Sequence, residues 1–121
     1  MANPICWFEI GTKDLDKSKK FYEAVFDWDL KKDEHFPDME MIETGERPQG
    51  AIFKGPPEMP LAVNVYFQVD SVDETIGKVT GAGGSIIMPK TEIPMVGWFA
   101  VFLDTEGVAV SIFEPNPDSQ M

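Results

Sequence analysis

Cysteine occurs once, at Cys6, and histidine once, at His35, in a chain of 121 residues. A single thiol excludes an intramolecular disulfide and a thiolate metal cluster within one chain, and reads as a reducing, cytoplasmic setting. Positive charge is scarce as well: Lys and Arg number 10 against 21 Asp and Glu, a formal net charge of −11. That field repels phosphate backbones and anionic lipid, so neither nucleic acid nor a membrane is an expected partner. It favours a cationic ligand, although an acidic solubilising surface accounts for it equally well. Long hydrophobic runs are missing. The apolar stretch after Pro4 is broken at Glu9, and the first three residues carry no basic run, so neither a signal peptide nor a spanning helix can be read. What is present is ordinary globular composition, 43% hydrophobic and 26% charged, enough for one core without metal or disulfide staples. A single soluble domain over residues 1–121 is the expectation.

Along the chain, Ile5 to Ile10 is rich in β-branched and aromatic residues and runs into Gly11 and Thr12, the pattern of a strand ending in a turn. A period of two then puts Cys6, Phe8 and Ile10 on one face and Trp7 and Glu9 on the other. Asp14 is a helix N-cap, followed by Leu15, Phe21, Tyr22, Val25 and Phe26 at helical spacing, with Asp27 expected as a left-handed terminus. Strands are expected near Trp28 to Lys32, Met39 to Glu43 and Ala51 to Lys54, separated by Pro37 and by the stretch Gly45 to Pro48. After a Pro-rich connector the order begins again. Val63 to Val69 alternates as a strand, Ser71 and Glu74 have capping-box spacing, and Val72, Ile76 and Val79 form a helical stripe ended by Gly81, Gly83 and Gly84. Three further strands follow at about Ser85 to Met88, Trp98 to Leu103 and Val108 to Glu114, with a turn at Asp104 to Gly107 and Lys90 to Gly97 as a candidate lid.

Aligning the two helix starts pairs Leu15 with Val72, roughly half the chain apart, and carries Trp7 onto Asn64 and Glu9 onto Tyr66. The same order of strand, capped helix and three strands on both sides of a connector is an internal repeat. It divides the chain into repeat one at about 4–55, a linker at about 56–61, repeat two at about 62–115 and a tail at 116–121.

The βαβββ repeat, with FEIGTKDLDKSKKFYEAVF opening one copy and FLDTEGVAVSIFEP closing the other, resembles the vicinal oxygen chelate superfamily of glyoxalases, bleomycin resistance proteins and extradiol dioxygenases. The resemblance covers essentially the whole chain. It implies an α+β fold in which two tandem βαβββ modules form a curved, barrel-like mixed sheet with the helices outside and a small-molecule pocket on the concave side. It leaves a homodimer and an acidic monomer both open. The scaffold hosts isomerases, lyases, dioxygenases and non-catalytic binders, so it does not fix the chemistry.

Metal-dependent members hold a divalent ion with one residue from the first strand and one from the last strand of each copy. Carried onto this chain, those places fall on Trp7, Asn64, Ser111 and, with less certain alignment, Ala51 or Ile52. Indole and alkyl groups have no lone pair to offer, and amide and hydroxyl oxygens are weak ligands. The resemblance therefore implies no metal and no other cofactor. His35 lies in a polar run and reads as a solvated loop residue. The expected ligand-binding residues are Trp7, Glu9, Asn64, Tyr66, Gln68, Trp98, Ser111 and Phe113, aromatic walls with a few amides and hydroxyls. Trp98 fits plain sheet core equally well. The preferred reading is a metal-independent binder of a small aromatic or amphipathic molecule. The alternative is a lyase or isomerase resembling lactoylglutathione lyase, with Glu9 as general base or a divalent metal held by residues outside the usual four places.

Overall fold

In the computed structural model, which describes residues 2–117, the elements run in the order β1 (Ile5–Thr12), α1 (Leu15–Val25), β2 (Asp29–Asp33), β3 (Phe36–Glu43), β4 (Gln49–Lys54), β5 (Val63–Gln68), α2 (Val72–Gly81), β6 (Ser85–Ile93), β7 (Gly97–Leu103) and β8 (Ala109–Pro115). This is the α+β fold of two tandem βαβββ modules. Backbone contacts divide the chain into two compact units, one formed by Trp7–Asn64 and the other by the residues up to Cys6 together with those from Val65 on. Most of the tail expected at 116–121 lies outside the described residues. No described helix is long and apolar enough to cross a membrane.

The first unit orders its strands β2-β3-β4-β1, with β1 and β4 parallel and the other pairs antiparallel. Asp14 caps α1 by accepting the Lys17 amide at 3.1 Å, which satisfies one of the free amides of the first turn. The underside of α1, Leu15 and Tyr22, packs with Phe8, Ile10 and Trp28 on a buried floor of Leu30, Ile42 and Ile52. Gly50 is what lets β4 lie against β1, because a Cβ there would collide with the Phe8 carbonyl oxygen.

One polar group interrupts that floor. Glu40 is only 1% exposed, yet its Oε2 lies 3.1 Å from Lys32 Nζ and its Oε1 3.5 Å from Lys19 Nζ of α1. The carboxylate is thus enclosed between helix and sheet while both ammonium groups reach water.

The second unit repeats the plan with order β5-β8-β7-β6, β5 and β8 being parallel. Ser71 caps α2 by accepting the Glu74 amide at 3.1 Å, and Glu114 of β8 takes the Val72 amide at 2.9 Å. The core under α2 is Val69, Val72, Ala100 and Ile112. In the turn before β8, Asp104 accepts the amides of Val108 and Glu106, which holds its carboxyl below the usual carboxylate range. Gly107 supplies the left-handed residue there, at φ +86°.

Three expectations need correction. The segment Lys90 to Gly97 is not a lid loop, since β6 runs on to Ile93 and β7 starts at Gly97, leaving only a tight turn. Met95 in that turn has φ +68°. Pro37 does not separate strands but lies inside β3. The β2–β3 register shifts between Lys32 and Asp33, and this irregularity accommodates a residue without an N–H. Asp27 does not end α1 as a left-handed residue; Phe26 is the C-cap, in extended geometry, with its amide bonded to the Tyr22 carbonyl.

Because Lys19 and Lys32 keep contact with water and Glu40 does not, the two sides of this cluster should respond unequally to substitution. In urea unfolding, Glu40→Met should stay within about 1 kcal/mol of the parent, whereas Lys19→Met with Lys32→Met strands the buried charge and should cost about 3 kcal/mol.

Candidate functional site

In each unit the helix covers one face of the sheet, and the other face is the candidate site. On β1, Phe8 and Ile10 point under α1, so Trp7 and Glu9 take the opposite face. Register extends that face: Trp7 pairs with Gln49, Glu9 with Ala51, Ala51 with Met41, and Phe53 with Met39. Met39 and Met41 therefore lie on this face as well. Phe53 shares the face through its pairing with Met39, and its place two residues beyond Ala51 is the only mark of this in the sequence.

Glu9 is 8% exposed, and Trp7 Nε1 donates to its Oε2 at 3.2 Å. A carboxylate so enclosed must be held by donors if it is to remain charged, and the indole is one of them. The same bond fixes the plane of the Trp7 ring. This unit therefore presents an aromatic wall beside an oriented acid, suited to a cation or to accepting a proton.

In the second unit, Tyr66 pairs with Ser111 and Gln68 with Phe113, while Val101 and Phe99 flank them from β7. The Tyr66 and Phe99 rings meet edge to face at 6.4 Å. Ser111 and Phe113 are buried, and Tyr66 and Gln68 are partly so. The Cys6 thiol lies 3.5 Å from the Tyr66 carbonyl oxygen, and burial pushes its pKa up, making it a poor nucleophile. Asn64 precedes Tyr66 by two positions on β5 and shares its side of that strand.

Trp98 stands apart. With Ala100 and Phe102 it faces α2, packed against the core of Val69, Val72 and Ile112, and Lys90 Nζ lies 5.3 Å from its ring centre while bonding Asp73 at 2.9 Å. The run Gly97–Leu103 is apolar at nearly every position, so hydrophobic alternation could not reveal its parity.

The donor set can be tested against a divalent ion. Ile52 is in the α1 floor, which leaves Ala51 as the last-strand position on the helix-free face of the first unit. Trp7, Ala51, Asn64 and Ser111 supply one amide and one hydroxyl between them, and the Trp7 indole donates rather than accepts. These residues do not fit a divalent ion. Among the described residues, no three His, Cys, Asp or Glu side chains gather as ligands. His35 is exposed in the β2–β3 turn, where its amide donates to Asp33 at 2.8 Å.

Paired βαβββ modules with site residues on the helix-free faces define a scaffold class shared by binders and enzymes. The family model described as the Glyoxalase/Bleomycin resistance protein/Dioxygenase superfamily matches residues 5–112, and the chain belongs to that superfamily. It is 32% identical over 119 residues, 93% of this chain and 44% of the relative, to CFP32 of Mycobacterium tuberculosis, whose name assigns it provisionally to the glyoxylases. It is 27% identical over 124 residues, 88% of this chain and 45% of the relative, to the anthracycline biosynthesis protein DnrV of Streptomyces peucetius. The chain thus spans under half the length of these curated relatives. Among solved structures, methylmalonyl-CoA epimerase from Mycobacterium tuberculosis superposes with a TM-score of 0.66 at 11% identity, over 93% of this chain and 88% of that one, a likeness of fold.

Removing the indole donor should loosen Glu9 measurably. Trp7→Phe is expected to lower stability by about 1.5 kcal/mol in urea unfolding, the low end for a hydrogen bond to a charged group at this length, and to do so much less in a Glu9→Gln background.

Proposed function

We propose that this protein binds a small aromatic or amphipathic molecule on its helix-free sheet faces without a resident metal ion, in the manner of the bleomycin resistance branch of its superfamily. The observation that carries this reading is the donor set: where metal-dependent members need strong lone-pair donors, this chain has indole, methyl, amide and hydroxyl groups. Flat hydrophobic side chains with a few oriented polar groups are the usual lining of a small-molecule site. Trp7 held against Glu9 in one unit, and Tyr66 against Phe99 beside Ser111 and Gln68 in the other, supply that chemistry. Glu9 would favour a cationic group on the ligand. The working setting is the reducing cytoplasm, consistent with one partly buried thiol, and the net charge of −11 argues against nucleic acid and anionic membranes. A homodimer is the assembly proposed, after the habit of the superfamily.

A second reading is favoured by one specific feature. Glu9 is buried and fixed by a hydrogen bond, as a general base in a lyase or isomerase would be, and a relative carries a glyoxylase name. In that case Glu9 takes a proton from a substrate carbon or oxygen, and no step passes through a metal.

Metal analysis of protein purified without chelator or affinity tag tests the first part, with a substoichiometric content expected. Near-equimolar Ni, Zn, Fe or Mn would overturn it. Calorimetric titration with a panel of aromatic cations and their neutral isosteres separates the two roles of Glu9. For a binder, Glu9→Gln should weaken the cations roughly ten-fold and leave the neutral compounds within about two-fold. Loss of turnover on hemithioacetal or related carbonyl substrates, at unchanged affinity, would instead establish the enzyme.

A further inference from the structure

The first unit carries a cleft of about 370 Å³ away from the helix-free face, between the N-terminal half of α1 and the connector that leads to β5. This size falls at the lower end of small-ligand sites, roughly 300 to 1,000 Å³. Its apolar wall is made by Phe21, Tyr22 and Leu61. Phe21 is 60% exposed and Leu61 55%, so each leaves apolar surface in water that nothing within the unit covers. Phe21 is held edge-on against Tyr22 at 5.1 Å, and Tyr22 in turn stacks on Trp28 at 5.5 Å, which gives the wall a fixed aromatic geometry.

The charged lining is two ammonium groups and one carboxylate. Lys13 and Lys17 both border the cleft. Lys13 Nζ is anchored on the Pro57 carbonyl at 3.2 Å and keeps further N–H groups to donate, whereas Lys17 forms no ion pair among the described residues. The one carboxylate at the cleft, Asp14, is engaged in capping, with Oδ1 accepting the Lys17 amide. The base is stiffened by the hydroxyl pair of Thr12 and Ser18 at 2.6 Å. The net charge of −11 opposes anions at long range, but locally a concave aromatic wall beside two ammonium groups is complementary to an apolar body bearing a single negative charge.

We propose that this cleft is a second binding site, separate from the helix-free faces, and that it takes a small aromatic carboxylate. The carboxylate lies between Lys13 and Lys17, and the ring rests on Phe21 and Leu61. This site does not depend on the function assigned to Glu9 and Tyr66.

The test is a backbone-amide NMR titration of the whole chain with 2-naphthoate at low salt, with neutral 2-naphthamide as the control. Saturable shifts are expected at residues 13–22 and at Leu61. Lys17→Glu and Phe21→Ser should each weaken binding roughly five-fold, and the amide should bind more weakly than the acid. If Phe21→Ser proves unfolded, Leu61→Ser tests the apolar wall instead. Absence of saturation, shifts centred on Tyr66, Gln68 and Phe113, or undiminished affinity in Lys17→Glu would each overturn the proposal.

Discussion

Parallel pairing of β1 with β4, and of β5 with β8, decides which way every residue of interest points. In each module one register line sets the parity of the first strand against the last, and the helix then covers one of the two faces. Phe8, Ile10 and Ile52 go under α1, which commits Trp7, Glu9 and Ala51 to the other side. Phe67 pairs with Ile112 under α2, which commits Tyr66, Ser111 and Phe113. A slip of one residue would exchange the hydrophobic floor for the polar lining in either module. The register of the first depends on Gly50 opposite Phe8, because a Cβ there would collide with the Phe8 carbonyl at that spacing.

Given that parity, the chemistry of the two faces follows from side-chain type. The helix-free face of the first unit holds one nearly buried carboxylate, and an indole N–H is turned towards it. The helix-covered face also holds a buried carboxylate, Glu40, but its partners are two lysine ammonium groups. The contrast separates two uses of buried charge. Glu40 is neutralised by cations whose tails span from the core to water, an arrangement that serves to locate α1 over β2 and β3. Glu9 is oriented by a neutral donor, the Trp7 indole N–H, on the face that no helix covers.

Much of this could be read from the residues themselves. The two helix starts were marked by Asp14 and Ser71, whose side chains bond the amides three positions on. The alternation of β1 and β5 gave Trp7, Glu9, Tyr66 and Gln68 their sides. The residues that resisted were those in strands without alternation. Gly97–Leu103 is hydrophobic on both faces, so its residues alone suit Trp98 equally to site and core, and only the pairing with Glu114 puts it under α2. The extension of β6 past Lys90 was hidden for a related reason, since Pro89, Lys90, Thr91 and Glu92 read as loop, and only antiparallel pairing with β7 holds them extended. The cleft beside α1 depends on the connector returning alongside the helix, which no local pattern encodes.

The outermost strand of the first module has a different consequence. β2 reads Asp-Leu-Lys-Lys-Asp, with Leu30 turned inward and Lys31 tied to both Asp29 and Glu43. A foreign strand seeking to extend the sheet there would meet alternating charges and the irregular backbone at Lys32 and Asp33. That rim is therefore a poor template for edge-to-edge aggregation, and it remains so without any partner chain to shield it.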